Sequence, residues 1–271
     1  MCGRYAASRK PEDLVGLFEV QKWEPTENLA PDWNVAPTKD VFAILERPLK
    51  DADDPRPVRQ LRALKWGLVP SWSKSPEGGA RMINARAESL HEKPSFRRPF
   101  AQRRCVVPAD GYYEWVTGVG ERQLEEQGKK KRPRKQPYFV TPADGSVMAM
   151  AGLYEFWRDR TLPDDHPRAW WVTCTVVTTE AEKSPLAVAP ADGPRALADI
   201  HPRMPLMLTP DRWDAWLDPA RTDVDGIREL LAPPPPGLMR AYPVSTDVSN
   251  VRNNGPELLE ELAAPQEGTL F

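Results

Sequence analysis

Apolar residues near the start of the chain recur at the spacing of a short amphipathic helix. Pro11 stands where proline suits the first helical turn, and Glu12 and Asp13 follow it at the positive end of a helix. The apolar face consists of Leu14, Val15, Leu17 and Phe18. This pattern predicts a first helix over residues 11–18.

Most of the remaining chain has the apolar pattern and the composition of β-strands. Strands are predicted over 41–46, 59–67, 104–107, 111–117, 137–141, 147–156 and 170–179. The last two are the most strongly indicated, because they are rich in Val, Thr and Trp. Helices are predicted over 210–217 and 223–231, with a last short helix over 256–262.

Strands dominate this pattern and the helices are short and irregularly placed. We therefore expect an α+β fold, with a mostly antiparallel sheet core and interspersed short helices. The charged stretch 118–136 has almost no apolar residues, so it is expected to be a long, mobile hairpin excursion. We expect one domain over 1–263 and a disordered tail over 264–271.

Composition narrows the class of protein. The formal net charge is −2, which gives no overall indication of nucleic-acid binding, although a local basic groove would be enough to bind DNA. No signal peptide is visible, and no apolar run approaches the roughly 18 residues that a membrane helix needs. Three widely spaced cysteines, Cys2, Cys105 and Cys174, make neither a disulfide framework nor a metal motif. We expect a protein of the reducing cytoplasm, without a membrane partner and without a metal.

The second residue carries the most informative chemistry in the chain. Initiator methionine is normally removed when the next side chain is small, and removal of Met1 would expose the α-amine of Cys2 beside its thiol. A 1,2-aminothiol condenses with an aldehyde to an imine, and the thiol then closes on that carbon as a thiazolidine. Ring closure is fast because the two groups belong to one residue.

Several short segments have the composition of functional loops. They are Asn34-Val35-Ala36-Pro37-Thr38, Trp66-Gly67-Leu68-Val69-Pro70-Ser71-Trp72, Ile83-Asn84-Ala85-Arg86-Ala87-Glu88, Pro108-Ala109-Asp110-Gly111-Tyr112-Tyr113-Glu114-Trp115, Ile200-His201-Pro202-Arg203-Met204-Pro205 and Val251-Arg252-Asn253-Asn254-Gly255-Pro256. These segments, in this order after Met-Cys-Gly-Arg, resemble the SRAP family (SOS-response-associated peptidase, or abasic-site processing proteins). The resemblance runs from Cys2 to about Pro256.

The resemblance implies a function and a set of residues. It implies a single-domain protein that recognises abasic sites in single-stranded DNA and crosslinks the opened sugar to its N-terminal cysteine. Because an imine left open can lose the 3′ phosphate by β-elimination, we also expect a weak AP-lyase side reaction. Cys2 matches the crosslinking residue, Asn84 the asparagine beside the sugar, Glu114 the catalytic acid and His201 the catalytic histidine. The residues expected to contact DNA are Arg4, Asn34, Trp72 and Arg86.

The residues also fit this chemistry on their own terms. A buried Glu114 would serve as a general acid, His201 would transfer protons near neutral pH, and Asn84 offers both a donor and an acceptor. Trp72, in a Pro-Ser-Trp-Ser loop, is a better candidate for base stacking than Trp66, which the pattern favours as a core residue. Cys105 and Cys174 are expected to be core thiols.

Basic residues near the motifs suggest how DNA would be held. If they share one face, the following arginines would form a phosphate track: Arg4, Arg81, Arg86, Arg97, Arg98, Arg103 and Arg104. The lysine-rich run 129–135 is more typical of a solvated loop tip than of a non-specific tether to the DNA strand. We expect a monomer without a cofactor, located in the cytoplasm and at the nucleoid when DNA is damaged.

Two other functions remain open at this level. Cys2 could be the nucleophile of an N-terminal-nucleophile hydrolase or a self-processing peptidase that removes Met1. The protein could also be a non-covalent binder of single-stranded or modified DNA, whose affinity depends on salt and is indifferent to Cys2.

Overall fold

The computed structural model describes residues 2–49, 54–117, 135–189 and 193–263. The strands in chain order are β1 (Tyr5–Ala7), β2 (Lys22–Trp23), β3 (Asp32–Val35), β4 (Asp40–Pro48), β5 (Pro57–Trp66), β6 (Asn84–Arg86), β7 (Arg104–Ala109), β8 (Gly111–Thr117), β9 (Lys135–Pro142), β10 (Met148–Arg158), β11 (Trp170–Glu180), β12 (Arg203–Pro205) and β13 (Met239–Pro243).

Short helices connect these strands. They are α1 (Pro11–Leu17), α2 (Arg97–Gln102), α3 (Leu197–Ile200), α4 (Pro210–Leu217) and α5 (Val224–Glu229). Single 3₁₀ segments occupy Pro25–Glu27, Pro76–Arg81, Thr246–Ser249 and Pro256–Leu259. No helix in these described ranges is long and apolar enough to span a membrane.

Two sheets form the framework. The smaller has five antiparallel strands in the order β13-β9-β8-β1-β3. The larger has eight strands in the order β12-β11-β10-β7-β4-β5-β2, with β6 paired in parallel to β11. A short parallel pairing of β11 with β5 joins strands already linked through β10, β7 and β4, so these five strands close into a ring.

The main core lies between the two sheets. Tyr5, Tyr112 and Val140 of the smaller sheet share one buried cluster with Leu45 and Met150 of the larger sheet. A second cluster packs α1, α2 and α4 against the other face of the larger sheet. Because β1 belongs to the smaller sheet and contributes to the shared core, the chain start is held between the sheets.

The predicted fold class is confirmed. Antiparallel pairings predominate, the predicted strands are found with at most small shifts at their ends, and the helix over 210–217 has its predicted bounds. The last helix is shorter than predicted and has 3₁₀ geometry over Pro256–Leu259. The expected hairpin excursion falls largely on residues 118–134 and the expected tail on 264–271, which lie outside the described residues.

One glycine fixes the path of the chain after β5. Gly67 has φ of +129°, and a Cβ atom there would lie 2.7 Å from the carbonyl oxygen of Gly79. Only glycine fits this close backbone approach. The loop that follows, which carries Trp72, therefore leaves the sheet at a defined position.

Candidate active site and nucleic-acid interface

Cys2 lies immediately before β1, between the two sheets. Its side chain is fully buried, and its Sγ lies 3.8 Å from the carbonyl oxygen of Arg4. Burial raises the pKa of the Cys2 thiol well above its ordinary value, and the nearby charge of Glu114 acts in the same direction. The thiol is therefore protonated at neutral pH.

Asn84 is brought to Cys2 by the parallel strand β6. Its backbone pairs with Val176 of β11, and its side-chain Nδ2 donates a 2.7 Å hydrogen bond to the carbonyl oxygen of Cys2. The Oδ1 of Asn84 is buried and accepts no hydrogen bond from any described residue. Asn84 thus holds the backbone of Cys2 while keeping one acceptor available beside it.

Glu114 reaches the same place from β8. Its side chain is 8% exposed, and its charge affects the pKa values of Cys2 and Tyr112. Since successive strand residues point to opposite faces, Glu114 shares its face with Tyr112, whereas Tyr113 and Trp115 point away. The Tyr113 hydroxyl accordingly donates a 2.8 Å hydrogen bond to the carbonyl oxygen of Trp33. Of its aromatic neighbours in β8, Tyr112 therefore helps to enclose the carboxyl.

His201 follows α3 and precedes β12. Its Nδ1 lies 3.0 Å from the backbone nitrogen of Arg203 and 3.1 Å from the carbonyl oxygen of the same residue, so the ring is anchored through that atom. Arg203 itself pairs with Glu180 of β11, while Arg86 pairs with Thr178 two residues earlier. His201 and the arginine of the Asn-Ala-Arg segment are thereby gathered at one end of β11.

The paired residues Arg203 and Glu88 were not singled out by sequence reasoning. The Nη1 and Nη2 of Arg203 donate to the two carboxylate oxygens of Glu88 at 2.7 and 2.9 Å, and Nη2 also donates to the carbonyl oxygen of Thr178. This contact lowers the pKa of the Glu88 carboxyl, with a smaller contribution from Arg86. Both residues lie within motif segments, but their contact across 115 positions is set by strand pairing and has no local signal.

Of the residues expected to contact DNA, Arg86 and Trp72 are the accessible ones. Arg86 is exposed, and its guanidinium has no hydrogen-bond or ion-pair partner among the residues that the structure describes. Trp72 is 64% exposed, in contrast to the fully buried Trp66, whose Nε1 donates to the carbonyl oxygen of Ile83. Both positions are available to a ligand.

Arg4 and Asn34 are engaged within the protein. The Nη1 of Arg4 donates to the Oδ1 of Asn34 at 2.6 Å and to the carbonyl oxygen of Val248 at 2.9 Å. Asn34 is fully buried, and its Nδ2 donates to carbonyl oxygens of Val248, Asn250 and Asn253. In this conformation the Asn34 side chain is not accessible to DNA. It instead fixes the positions of Arg4 and of the loop near the C-terminal end through hydrogen bonds.

The expected arginine track is only partly at the surface. Arg104 is 2% exposed and donates to backbone carbonyls inside the protein, and Arg103 forms an ion pair with the buried Glu155. These two arginines are therefore structural, because strand β7 points Arg104 into the core. Cys105 and Cys174 are buried thiols.

No group of three or more His, Cys, Asp or Glu residues in the described part of the chain is arranged to hold a metal ion.

Comparison with known proteins identifies the family of this chain. Residues 1–251 match the family described as SOS response associated peptidase (SRAP). Abasic site processing protein YoqW of Bacillus subtilis is 36% identical over 261 residues, covering 96% of this chain and 99% of the relative. Abasic site processing protein HMCES of Xenopus tropicalis is 29% identical over 291 residues, covering 98% and 80%.

A solved structure shows the same fold. A protein of Bacteroides thetaiotaomicron superimposes with a TM-score of 0.71 at 24% identity, covering 97% of this chain and all of that chain. The family match over residues 1–251 and the 36% identity to YoqW establish that the chain belongs to the SRAP family.

Proposed function

We propose that this protein recognises abasic sites in single-stranded DNA and couples the opened sugar to Cys2 once Met1 has been removed. The observation that carries the proposal is the arrangement of Asn84 and Glu114 around Cys2, with Asn84 bonded to its backbone at 2.7 Å. The names of the relatives, abasic site processing proteins, support the substrate.

The proposed reaction balances without a cofactor. The α-amine of Cys2 adds to the C1 aldehyde of the opened sugar, and loss of water gives an imine. The thiol then adds across the carbon–nitrogen double bond, so that a carbon–sulfur bond forms and the thiol proton passes to the nitrogen. The step balances because the proton that sulfur gives up as it attacks ends on the ring nitrogen.

The surrounding residues would assist the proton transfers. We assign Glu114 as the general acid that helps water to leave the carbinolamine, and His201 as a group that transfers protons during opening of the sugar ring. The buried Oδ1 of Asn84 would accept a hydrogen bond from a sugar hydroxyl. Without the thiol, the imine would persist and could lose the 3′ phosphate by β-elimination, which is the proposed lyase reaction.

DNA would be held chiefly by the accessible groups. We assign Arg86 to a backbone phosphate and Trp72 to stacking on a base, since both are exposed. Arg4 would orient the strand from its site beside Asn34, whereas Asn34 positions Arg4 rather than touching DNA. We further propose that residues 1–263 act as one monomeric domain, in the cytoplasm and at the nucleoid during DNA damage.

A peptidase that uses a Cys2 thiolate is less well supported. Such an enzyme must attack an external substrate with a thiolate that burial and Glu114 both disfavour by raising the pKa of Cys2, whereas ring closure has the advantage of being intramolecular. A self-processing step that removes Met1 is compatible with the proposal but is not required by it.

The test is adduct formation on a labelled single-stranded oligonucleotide with one abasic site, followed on a denaturing gel. We expect a heat-stable adduct with Met-trimmed protein and none with Cys2→Ala, which instead should give more strand cleavage. Glu114→Gln and His201→Ala should slow adduct formation by about 10²–10⁴-fold each.

The matched control is Cys174→Ala, which removes another buried thiol and should leave the adduct intact. An adduct that survives Cys2→Ala would contradict the proposal, as would the absence of any adduct with folded, Met-trimmed protein.

A further inference from the structure

A second groove lies away from the Cys2 site, where the start of β11 meets β5 and the preceding loop. It has a volume of about 660 Å³, and its lining includes Lys65, Leu162, Arg168, Trp170 and Trp171. Trp170 is 57% exposed, although a tryptophan at the start of a strand could bury far more of its surface. The groove therefore presents an aromatic face to a ligand.

Packing contacts link one wall of this groove to the loop that carries Trp72. The Nε1 of Trp157 donates a 2.8 Å hydrogen bond to the carbonyl oxygen of Ser73, next to Trp72. The ring of Trp157 in turn packs edge-to-face on Trp171, with centroids 5.5 Å apart. The chain neighbours of Ser73 and Trp171, which are Trp72 and Trp170, are both more than half exposed.

Among the described residues that line the groove, one side-chain cation is not already bonded within the protein. The Nζ of Lys65 is bonded to Asp40 at 3.0 Å and lies 5.7 Å from the Trp171 ring centroid. Asp159 is hydrogen bonded within its own loop. The guanidinium of Arg168, by contrast, is exposed and has no hydrogen-bond or ion-pair partner within the described ranges. An anionic group at the rim would meet Arg168.

The residue spacing along strand β11 gives the distance between the groove and Asn84 of the Cys2 site. Val176 pairs with Asn84, and the groove residues Trp170 to Val172 lie four to six residues earlier. At 3.3 Å per residue this distance is about 13–20 Å. A single strand held at the lesion could reach the groove after a few nucleotides.

We propose that this groove binds the same DNA strand beside the lesion, with a base stacked on Trp170 and a backbone phosphate at Arg168. Stacking on an aromatic ring together with one cation is the usual combination for single strands, and it tolerates any sequence. The inference rests on the proposed function and extends it by a second contact that sets the length of DNA recognised.

The experiment compares single-stranded oligonucleotides of roughly 5 and 20 nucleotides, near and beyond the limits of one single-strand binding site. Each carries one central abasic site, and the rate of adduct formation is measured against protein concentration. Trp170→Ala should raise the half-saturating concentration for the longer DNA by about fivefold or more. It should leave the shorter DNA and both maximal rates unchanged, and Trp170→Phe should restore most of the affinity.

Arg168→Ala is matched with Arg160→Ala, an exposed arginine of the same loop that does not line the groove. We expect Arg168→Ala alone to reduce the salt slope of binding to an intact 20-nucleotide strand, by about 0.7. This binding is measured by fluorescence anisotropy and does not depend on the crosslink, so it separates failure of the groove from failure of the crosslinking proposal.

Unchanged affinity of Trp170→Ala for the longer strand, in both assays, would overturn the inference. The ligand of the groove would then be a protein and not DNA. Equal losses on the short and long oligonucleotides would overturn it too, because the effect would then arise at the lesion.

Discussion

At the scale of single residues, the same side-chain type serves different purposes according to its burial. Asn84 and Asn34 both stand at strand positions next to the N-terminal segment, yet one keeps a buried oxygen without a described partner and the other has its amide fully bonded. The sequence shows two asparagines in motif segments and no more. Only the packing separates the residue suited to a substrate from the residue that supports it.

Asn34→Ala should destabilise the protein by about 3 kcal/mol. The substitution removes four buried hydrogen bonds, each worth about 1 kcal/mol. The Nη1 of Arg4 keeps its bond to Val248, and the carbonyl of Asn250 keeps the backbone nitrogen of Asn253, so these groups stay paired. Urea unfolding measures the loss. Asn28→Ala, at an exposed asparagine, is the control and should remain within about 0.5 kcal/mol of the parent.

Unchanged stability of Asn34→Ala, together with weakened binding of abasic DNA at a temperature where both proteins are folded, would contradict this prediction. It would indicate that Asn34 contacts DNA directly.

At the scale of elements, the apolar pattern predicts what is long and periodic. The strand over 111–117 and the helix over 210–217 are found with the predicted bounds, because their own residues carry the signal. Helix α2 was not predicted, since Arg97, Arg98 and Pro99 give no apolar period. Its formation depends on tertiary contacts, because Phe100 is buried in the core cluster that α2 shares with α1 and α4.

The site could be predicted only in part for a related reason. Cys2, Asn84, Glu114 and His201 were identified through motif resemblance, but local sequence has no information on which backbone groups they meet. The contact of Asn84 with Cys2 depends on the parallel pairing of β6 with β11, and strand order is a property of the whole sheet. The contact between Arg203 and Glu88 likewise depends on that pairing.

Arg104 joins α2 to α4, and its removal should separate them. Its guanidinium donates five hydrogen bonds to the carbonyls of Phe100, Ala101, Trp216, Asp218 and Arg221, at the ends of both helices. Arg104→Met should therefore cost about 3 kcal/mol or more of unfolding free energy, since several buried carbonyls lose their donor.

Urea unfolding measures that cost, and hydrogen exchange should show faster opening of α2 and α4. Arg98→Met, at an exposed arginine on α2, should change stability by less than about 0.5 kcal/mol. If Arg104→Met behaved like this control, the carbonyls would have found water instead, and Arg104 would be dispensable for the fold.

At the scale of the whole molecule, the shared core contains titratable groups as well as aliphatic ones. Cys2, Cys105 and Cys174 are buried there with Tyr5 and Tyr112, and burial raises the pKa of each. Neutral forms of these groups are compatible with the core, whereas charged forms are not. The native state should consequently lose stability in alkaline solution before its surface groups titrate.

Cys174 allows a quantitative test, because burial, with a smaller effect of Asp40, raises its pKa to about 12. In the unfolded chain the thiol titrates near 8.5. Between these values the unfolded state binds fewer protons than the native state, so stability is fully present below the unfolded pKa and falls as pH rises. One such thiol contributes a slope of about −1.4 kcal/mol per pH unit.

Cys174→Ala should remove that slope. Measured by urea unfolding at several pH values from neutral to alkaline with a reductant present, the variant should be less stable than the parent at neutral pH and should approach it above the unfolded pKa. Val176→Ala, at a buried residue on the same face of β11, should keep a constant deficit because valine does not titrate. Parallel curves for both variants would contradict the prediction, because they would mean that the folded protein tolerates a charged thiol at Cys174.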